Sequence, residues 1–431
     1  MFVSVDNFKS IEHVANVDLS NLTVLAGINS SGKSSLIQAI LLLKQTLEGP
    51  SNELLNLKGP YVYANSLIEL IHDKKPGEMK FVIRLTKEEL KDTEIDRQKG
   101  AFALEGLEIE VIFNVKTDQF YVSKFYIKPL FPDGLTPDSD ILNNFELERN
   151  RLGNYTITYA EKTTKGLKLD EYSFVNFFPV FFANKQKEYI SYPITKIARE
   201  TLKDIFLKVN YIAPLRVKPV LARSYPLEVE TRFVVPDGEN TRFILDRLAT
   251  ENKEELSLIK EWICGKFNLA QDLNIVKESG KRYRVVITTE KGIKVDLMHM
   301  GFGLSQIIPI ITQGCISKAG SLLIVEDPDV HMHPSIQAAM ADFFIFLCKE
   351  RGVSSLVETH SDHFITRLRR RIAEEEISTD KVHIIFVSNK YGESIYKNIS
   401  LSPRGKIEGS MPPGFMDTQD LDFRALINAN K

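Results

Sequence analysis

The stretch Leu22-Thr-Val-Leu-Ala-Gly27-Ile-Asn-Ser-Ser-Gly32-Lys33-Ser34-Ser35-Leu-Ile-Gln-Ala-Ile indicates the fold of this chain most directly. A short apolar strand leads into a Gly-rich turn and then an amphipathic helix. The pattern G-x-x-x-x-G-K-[ST] is therefore complete and stands in the context that it requires. Its two glycines allow a tight backbone path, and the amides that follow lie at a helix N-terminus, where anions are favoured. We predict a loop that holds a nucleoside triphosphate.

The side chains of this loop indicate how the triphosphate is held. Lys33 supplies a positive charge for the β- and γ-phosphates, and Ser34 offers a hydroxyl to Mg²⁺. The alternative is a chance match in a turn before an ordinary helix, and the matching strand and helix disfavour it. The predicted nucleotide contacts in the loop are Gly27, Asn29, Ser30, Ser31, Gly32, Lys33, Ser34 and Ser35.

The composition is ordinary for a globular protein. A chain of 431 residues, 43% hydrophobic and 26% charged, predicts roughly two or three domains with a large core. A net charge of −2 does not point to nucleic acid, although a local basic patch is not excluded. The widely spaced Cys264, Cys315 and Cys348 predict buried free thiols. With an ATP site, no signal peptide and no membrane-length apolar window, these features predict a cytoplasmic protein.

Hydrophobic periodicity predicts strands and helices along the chain. Prolines predict a loop over 129–140, and charge predicts an exposed interruption over 88–100. The predicted helices cover 33–47, 192–209 and parts of 241–269. The predicted strands include 1–8, 14–19, 22–26, 81–85, 107–113, 120–127, 154–159, 168–178 and 227–235, with a hairpin over 283–297.

Two later strands end in polar residues that complete the predicted site. The strand from Ser321 ends in Glu326 and Asp327, and the strand from Ser355 ends in His360. Strand ends of a parallel sheet meet at a ligand crevice, so these residues should converge on the loop. We predict that Glu326 holds Mg²⁺ through its water, that Asp327 orients or deprotonates the attacking water, and that His360 contacts the γ-phosphate. A solvated turn for the acids and a packed or capping histidine remain alternatives.

The stretch Met300-Gly-Phe-Gly303-Leu-Ser305-Gln306 predicts a second anion site, because its amides and the Ser305 hydroxyl open an apolar helix. A glycine-rich turn with a serine cap is the alternative. The histidines His331 and His333 lack ligand partners at suitable spacing, which disfavours a dedicated metal site. The basic run 367–371 indicates a solvated helix face, with an interface or nucleic-acid contact as the alternative.

The order of these motifs resembles the ABC-type ATPase heads of the SMC, RecF and OLD proteins. More closely, the chain resembles a group of bacterial AAA-family ATPases with a C-terminal domain of unknown function. Relatives of that group often occur in anti-phage defence operons beside a nuclease or other effector. The matching stretches are Asn7–Ser10, the loop 27–34, Tyr211–Arg216, Gly301–Gln306, Val325–Pro334, Glu358–Ser361 and the tail 407–417.

The resemblance implies an α/β fold, namely an ABC/SMC-like P-loop ATPase head with a mixed sheet flanked by helices and a β-rich and helical insertion. It implies a homodimer or higher homo-oligomer, in which two heads enclose two ATP molecules and Lys33 of one chain faces Ser305 of the other. ABC heads usually carry Glu where this chain has Asp327, which is one methylene shorter and puts fast hydrolysis in doubt. The stretch after His360 is too short for the nuclease domain of OLD proteins, so any effector, a nuclease or a toxin, would act in trans.

The predicted function is that of an ATP-binding and ATP-hydrolysing sensor or scaffold that uses Mg²⁺ and controls a separate effector, in anti-phage defence. A RecF-like DNA-binding ATPase in repair is the alternative. A transporter ATPase subunit, which would need a membrane partner, is disfavoured by the large β-rich insertion and the degenerate signature. The predicted parts are 1–77 (N-terminal head with the loop), 78–210 (β-rich insertion), 211–282 (helical lobe), 283–398 (C-terminal head) and 399–431 (tail).

Overall fold

The computed structural model describes most of the chain. Its described residues form two compact units. The first comprises Met1–Leu19, Ser34–Val209 and Asn389–Ile395, and the second Ser20–Lys33, Asn210–Ser388 and Tyr396–Lys431. The described residues are 1–50, 53–98, 103–117, 119–132, 141–169, 173–180, 182–183, 189–190, 192–217, 223–224, 232–251, 253–278, 282–409, 416 and 425–429.

Strands and helices alternate irregularly along these residues. The strands are β1 (Phe2–Phe8), β2 (Ile11–Asp18), β3 (Leu22–Ala26), β4 (Gly77–Thr86), β5 (Gly106–Val115), β6 (Phe120–Leu130), β7 (Phe145–Arg149), β8 (Tyr155–Tyr159), β9 (Lys162–Leu167), β10 (Phe174–Val175), β11 (Phe178–Pro179), β12 (Phe182–Ala183), β13 (Tyr189–Ile190), β14 (Val209–Ile212), β15 (Arg223–Ser224), β16 (Asp272–Glu278), β17 (Arg282–Thr288), β18 (Lys294–Asp296), β19 (Leu322–Glu326), β20 (Ser354–Thr359), β21 (Val382–Lys390) and β22 (Glu393–Ile399). The helices are α1 (Lys33–Glu48), α2 (Lys87–Leu90), α3 (Pro193–Phe206), α4 (Thr241–Glu251), α5 (Lys253–Lys260), α6 (Phe302–Ile316), α7 (Pro334–Glu350) and α8 (Asp362–Ala373), with a π-helical turn at Glu261–Lys266.

The first unit is built on an antiparallel sheet. Its described strands follow the order β2-β1-β4-β5-β6-β7-β8-β9. Alternate side chains are buried, as a sheet with one covered face requires, and the pair Phe81 and Val111 shows this register. Phe125 and Phe178 add an edge-on contact at 5.1 Å between ring centroids. The period-two pattern is thus confirmed for β4, β5 and β6.

The second unit contains the strand that precedes the Gly-rich loop. Its described six-stranded sheet has the order β14-β19-β20-β3-β21-β22, and β19, β20, β3 and β21 are parallel. Every residue of β3 and β19 is buried, because helices cover parallel sheets on their faces. Helix α7 packs against β20 and β3, and α6 packs against β19. The prediction of a mixed α/β fold with helices flanking a sheet is confirmed.

Some local expectations were wrong. The segment 88–100 is not wholly exposed, because Leu90 and Ile95 pack into the first unit. The helix expected over 192–209 ends at Phe206, and Val209 begins β14. The loop expected over 129–140 begins later, since β6 runs to Leu130. The sequence patterns also missed β7, β9, β16, β21 and β22. Of the strand expected over 168–178, the described residues contain only the short β10 and the first residue of β11.

Other expectations have a mixed outcome or lie outside the described residues. The hairpin over 283–297 is confirmed by the antiparallel pairing of β17 with β18. Cys315 is buried, whereas Cys264 and Cys348 are half-buried, and all three thiols are free. Residues 133–140, most of the strand expected over 227–235, and most of the tail 407–417 lie outside the described residues. In the described part of the chain, no helix has the length and apolar character of a membrane span.

Gly314 lies at a close contact between α6 and α7. A Cβ atom there would lie 2.5 Å from Cζ of Phe343, whose ring is locked edge-on against Trp262. We expect Gly314→Ala to lower the free energy of unfolding by about 1–3 kcal/mol through overpacking.

The matched control is Gly265→Ala in the π-helical turn, where the nearest atom to the new Cβ is 4.0 Å away. It should be neutral or stabilising by up to about 1 kcal/mol. Urea denaturation of both variants measures the difference, and equal destabilisation would contradict this account of the α6–α7 contact.

Candidate functional site

The Gly-rich loop leaves β3 and enters α1, and two contacts fix its path. A Cβ atom on Gly27 would lie 2.1 Å from the carbonyl oxygen of Val387 in β21, so only glycine fits there. At the other end of the loop, Gly32 has a φ of 101°, and its carbonyl accepts a hydrogen bond of 2.7 Å from the Tyr396 hydroxyl. The loop is therefore shaped by its own glycines and by β21 and β22.

Lys33 is folded over the loop and is 3% exposed. Its Nζ donates to the carbonyl oxygens of Gly27 at 3.1 Å and Ile28 at 2.9 Å, and lies 3.8 Å from Oε1 of Glu358. Burial lowers the pKa of Lys33, while the carboxylates of Glu358, Asp327 and Glu326 act in the opposite direction. The lysine charge is thus placed inside the loop, where phosphate oxygens can replace the carbonyls.

Strand register brings the acidic residues to the same edge of the sheet as the loop. Glu358 in β20 is paired with Glu326 in β19 and with Leu25 in β3, and both glutamates are buried. Because β19, β20 and β3 are parallel, their carboxyl ends coincide. The sequence argument had placed Glu326 and His360 here but had not assigned Glu358 a role.

Glu326, the last residue of β19, and Asp327 form a corner of the chain. Oε1 of Glu326 accepts a hydrogen bond of 2.6 Å from Tyr211. Asp327 has a φ of 47°, in the left-handed region, and its amide donates to the Glu358 carbonyl at 2.9 Å. Among the described residues its Oδ1 accepts no hydrogen bond, and Nε2 of His360 lies 3.9 Å away. The Asp327 carboxylate is therefore available for a further contact.

His360 and Asp329 differ in burial and charge. His360 is partly exposed, and burial followed by the Lys33 charge lowers its pKa, so that the ring is uncharged at neutral pH. Asp329 is buried and accepts a hydrogen bond of 2.6 Å from Thr359. Burial raises the pKa of Asp329 to about 6. An uncharged imidazole can donate its N–H to an anion without adding charge.

The start of α6 differs from expectation in one respect. Gly301 is the N-cap and is exposed, and Gly303 is the second helical residue. A Cβ on Gly303 would meet the His331 carbonyl oxygen at 3.1 Å. Ser305 is the fourth helical residue and is only 6% exposed. The helix thus turns the Ser305 hydroxyl inward, and Gly301 is the accessible residue.

The remaining loop residues have distinct surroundings. Asn29 and Ser30 are exposed, whereas Ser31 is buried. In the first unit, the Ser35 hydroxyl lies 2.9 Å from that of Ser10. Ser34 is the second residue of α1. The backbone amides at this helix start are the groups that bind phosphate in such loops.

The histidines and arginines noted in the sequence have structural partners. His333 caps α7 by accepting from the Ser335 amide, and the described residues contain no group of three or more His, Cys, Asp or Glu side chains that could hold a metal ion. Arg371 donates to Asp342 at 2.7 Å and to Glu374 at 2.9 Å. Arg367 also donates to Asp342, and Arg369 donates to the carbonyl of Gly405. These ion pairs neutralise much of the basic run.

Sequence reasoning missed several side chains that contact this edge. The Arg216 guanidinium donates to the carbonyl oxygens of Glu326 and Asp327. The stretch that contains Tyr211 and Arg216 was noted in the sequence only because it matches the resembled group. Glu358 could have been predicted as a site residue, because it is an acidic residue at the end of an apolar strand. The contacts of Asp329 and Tyr396 had no local signal, because their partners lie far away in sequence.

Comparison with known proteins identifies a family for the chain. A sequence family described as "AAA domain, putative AbiEii toxin, Type IV TA system" matches residues 22–366, which is most of the chain. That range contains the loop, the Glu326–Asp327 corner and His360. No curated protein sequence matches.

Three solved structures have similar but distant folds. An Smc head bound to the C-winged helix domain of ScpA has 14% identity and a TM-score of 0.46, over 93% of this chain and 97% of that one. An Smc head with an extended coiled coil, bound to the C-terminal domain of ScpA and derived from Pyrococcus furiosus, has 12% identity and a TM-score of 0.46, over 100% and 99%. An SMC head domain from Thermotoga maritima has 11% identity and a TM-score of 0.37, over 93% and 98%.

The position of Glu358 beside Lys33 leads to a binding prediction. Its negative charge competes with the phosphates for the lysine, so Glu358→Gln should tighten ATP binding about three- to tenfold when no Mg²⁺ is added. Isothermal titration calorimetry at low salt measures the affinity. Glu350→Gln, at the end of α7, is the control and should leave the affinity unchanged. Weaker binding by Glu358→Gln would contradict the prediction.

The raised pKa of Asp329 leads to a stability prediction. Its pKa of about 6 lies above the ordinary 3.8, so the folded state loses stability as pH rises through that interval. Asp329→Asn keeps the acceptor for Thr359 and removes the titration. We expect it to raise the free energy of unfolding at pH 8 by about 1–3 kcal/mol, with little change at pH 4.

The control for this prediction is Asp92→Asn, at an exposed position of the first unit. The same exchange there removes a carboxylate that faces water, so it should change the free energy of unfolding little at either pH. Urea titrations of both variants at pH 4 and pH 8 measure the effects. A pH-independent effect of Asp329→Asn would exclude this cause.

Proposed function

We propose that this chain, which belongs to the AbiEii-type AAA-domain family, binds ATP together with Mg²⁺ and hydrolyses the ATP. The observation that carries the proposal is the convergence of Lys33, the Glu326–Asp327 corner and His360 at one edge of a parallel sheet. A buried cation, paired acids and a neutral imidazole at that edge match the requirements of phosphoryl transfer, in which the protein positions groups and stabilises charge.

The donor set fits Mg²⁺ bound with a nucleotide better than a protein-only metal site. Mg²⁺ is usually bound by one or two protein oxygens, with phosphate oxygens and water completing its octahedron. Ser34 and Glu326 would supply those oxygens, and the loop residues 27–35 would hold the phosphates. A magnesium ion supplies charge neutralisation on the transferred phosphoryl group.

Asp327 is our proposed general base or water-orienting residue. Its backbone is fixed by the Glu358 carbonyl, while its Oδ1 has no hydrogen-bond partner within the described ranges. His360 is close enough to share a bound water or phosphate oxygen with it, at 3.9 Å. In our proposal the neutral His360 donates to the γ-phosphate, and the short Asp327 side chain makes turnover slow.

We further propose that two chains together complete the ATP sites. The exposed Gly301 is the accessible part of the second anion site. Because Ser305 is buried, its hydroxyl would support that helix start from within. Each chain would then contribute its loop to one nucleotide and its α6 N-terminus to the other.

A role in anti-phage defence or growth control follows as the biological part of the proposal. The family description names a toxin of a type IV toxin–antitoxin system. We propose that ATP binding sets the assembly state of this chain and that a separate nuclease or toxin responds to that state. The pairing of Arg367 and Arg371 with Asp342 gives the alternative DNA-binding role less support.

The test is ATP hydrolysis by the purified chain across a wide range of protein concentrations. We expect a low specific rate that rises with concentration. Asp327→Asn should lower kcat at least 100-fold with little change in ATP affinity. Gly301→Glu should remove the concentration dependence by repelling the partner's nucleotide, and no atom lies within 4 Å of its new Cβ.

Leu152→Glu, which places the same charge at an exposed site in the first unit, is the matched control for Gly301→Glu. Tight ATP binding without hydrolysis at any concentration would refute the ATPase proposal. A specific rate that is independent of concentration would refute the two-chain site and leave the ATPase proposal intact.

A further inference from the structure

We propose that Arg216 and Tyr211 are positioning residues for the Glu326–Asp327 corner, with Arg216 fixing its backbone and Tyr211 orienting its metal-binding carboxylate. This inference rests on the proposed ATPase function. Both residues come from one short segment that begins in β14, the strand beside β19.

Arg216 contacts the corner through backbone carbonyls. It is 4% exposed, and its Nη2 donates to the carbonyl oxygens of Glu326 at 2.6 Å and Asp327 at 3.1 Å. Within the described ranges its Nε and Nη1 have no acceptor. Burial lowers the pKa of Arg216 to about 10, so the side chain remains charged at neutral pH. Burying a partly unsatisfied charge is unfavourable for stability, which points to a role other than stabilising the fold.

The backbone of Asp327 depends on this contact. A φ of 47° places it in a sparsely populated region that surrounding contacts must maintain. Its amide is held by the Glu358 carbonyl, and its carbonyl is held by Arg216. The peptide groups on both sides of its Cα are thus fixed, while its carboxylate has an oxygen available for water. Holding a base in one orientation before substrate arrives is an effective way to lower a barrier.

Tyr211 contacts the same corner through a side chain. Its hydroxyl donates to Oε1 of Glu326 at 2.6 Å. Burial and the Glu326 charge raise the pKa of Tyr211, so the hydroxyl keeps its proton. This hydrogen bond limits the rotation of the Glu326 carboxylate, which in our proposal would hold the water shell of a metal ion. Partners of metal-binding side chains affect metal affinity in this way.

The segment between these two residues is itself anchored. The Ala213 amide donates to the Pro236 carbonyl at 2.8 Å, and the Val217 amide donates to that of Asp237 at 2.9 Å. Pro214 adds its own restriction on φ. Two side chains from one fixed segment can therefore hold the corner in a constant position.

The two positioning roles predict different kinetic defects. Tyr211→Phe should raise the Mg²⁺ concentration for half-maximal activity about 10- to 100-fold, with kcat at saturating Mg²⁺ near that of the wild type. Arg216→Met should lower kcat about 100-fold, because a misplaced reacting group loses that much. Mg²⁺-free ATP affinity should stay within about twofold of the wild type in both variants. Arg216→Lys, which can still reach carbonyls, should recover part of the rate.

Arg351→Met is the matched control. Arg351 also donates to two carbonyl oxygens, those of Cys315 and Ser317, but it lies after α7, away from the corner. We expect Arg351→Met to lower the free energy of unfolding and to leave kcat unchanged. Hydrogen exchange in the nucleotide-free protein provides a readout independent of hydrolysis. Arg216→Met should speed exchange of the Asp327 amide at least tenfold, whereas Arg351→Met should leave it unchanged.

The outcomes separate this inference from the ATPase proposal. If the wild type hydrolyses ATP and Arg216→Met retains kcat within about threefold, or loses ATP affinity in parallel with kcat, the positioning role is wrong. If the wild type does not hydrolyse ATP, the ATPase proposal fails. The exchange rate of the Asp327 amide then decides whether Arg216 holds the corner. If Arg216→Met leaves that rate unchanged, the positioning role of Arg216 is refuted.

Discussion

The pairing of β3 with β20 and β21 is the interaction on which the site depends. Leu22 pairs with Ser355 on one side and with Val382 on the other, so the strand before the Gly-rich loop lies between two strands from much later in the chain. Parallel pairing fixes which strand ends coincide. This register places Lys33 beside Glu358, and the neighbouring β19 brings Glu326 to the same edge. A slip of one residue would turn these side chains to the opposite face.

Charge at this edge favours a divalent cation. The described side chains there include four carboxyl groups and two basic groups, so acidic side chains outnumber basic ones. A nucleoside triphosphate adds further negative charge, so binding without a counterion is electrostatically unfavourable. The proposed use of Mg²⁺ would therefore serve the acidic edge of the protein as well as the nucleotide. The groups counted are Glu326, Asp327, Asp329 and Glu358 against Lys33 and Arg216.

The sequence predicted those features that depend on neighbouring residues. The loop at Gly27–Lys33 could be predicted because its strand, its glycines, its lysine and its helix are adjacent in sequence. Glu326 and Asp327 could be predicted because they end an apolar strand. Tyr211 and Arg216 could not be predicted as site residues, because their contacts join positions more than 100 residues apart. The inward direction of Ser305 depends on how α6 rotates over the sheet, and a short glycine-rich pattern does not encode that rotation. Asp342, which pairs with both Arg367 and Arg371, lies on α7 and not beside the basic run in sequence, so charge spacing left the role of that run open.

The late arrival of the partners of β3 has a consequence during synthesis. Roughly 330 residues separate this strand from β20, and at bacterial or eukaryotic elongation rates their translation takes roughly 15 to 70 seconds. For that time a strand that is wholly buried in the folded protein has left the ribosome without its β20 and β21 partners, and unpaired strand edges promote aggregation. The antiparallel sheet of the first unit consists of strands that all precede residue 168, so it can form earlier. We therefore expect the β3 segment of the nascent chain to be exposed to aggregation until the last fifth of the protein has been made.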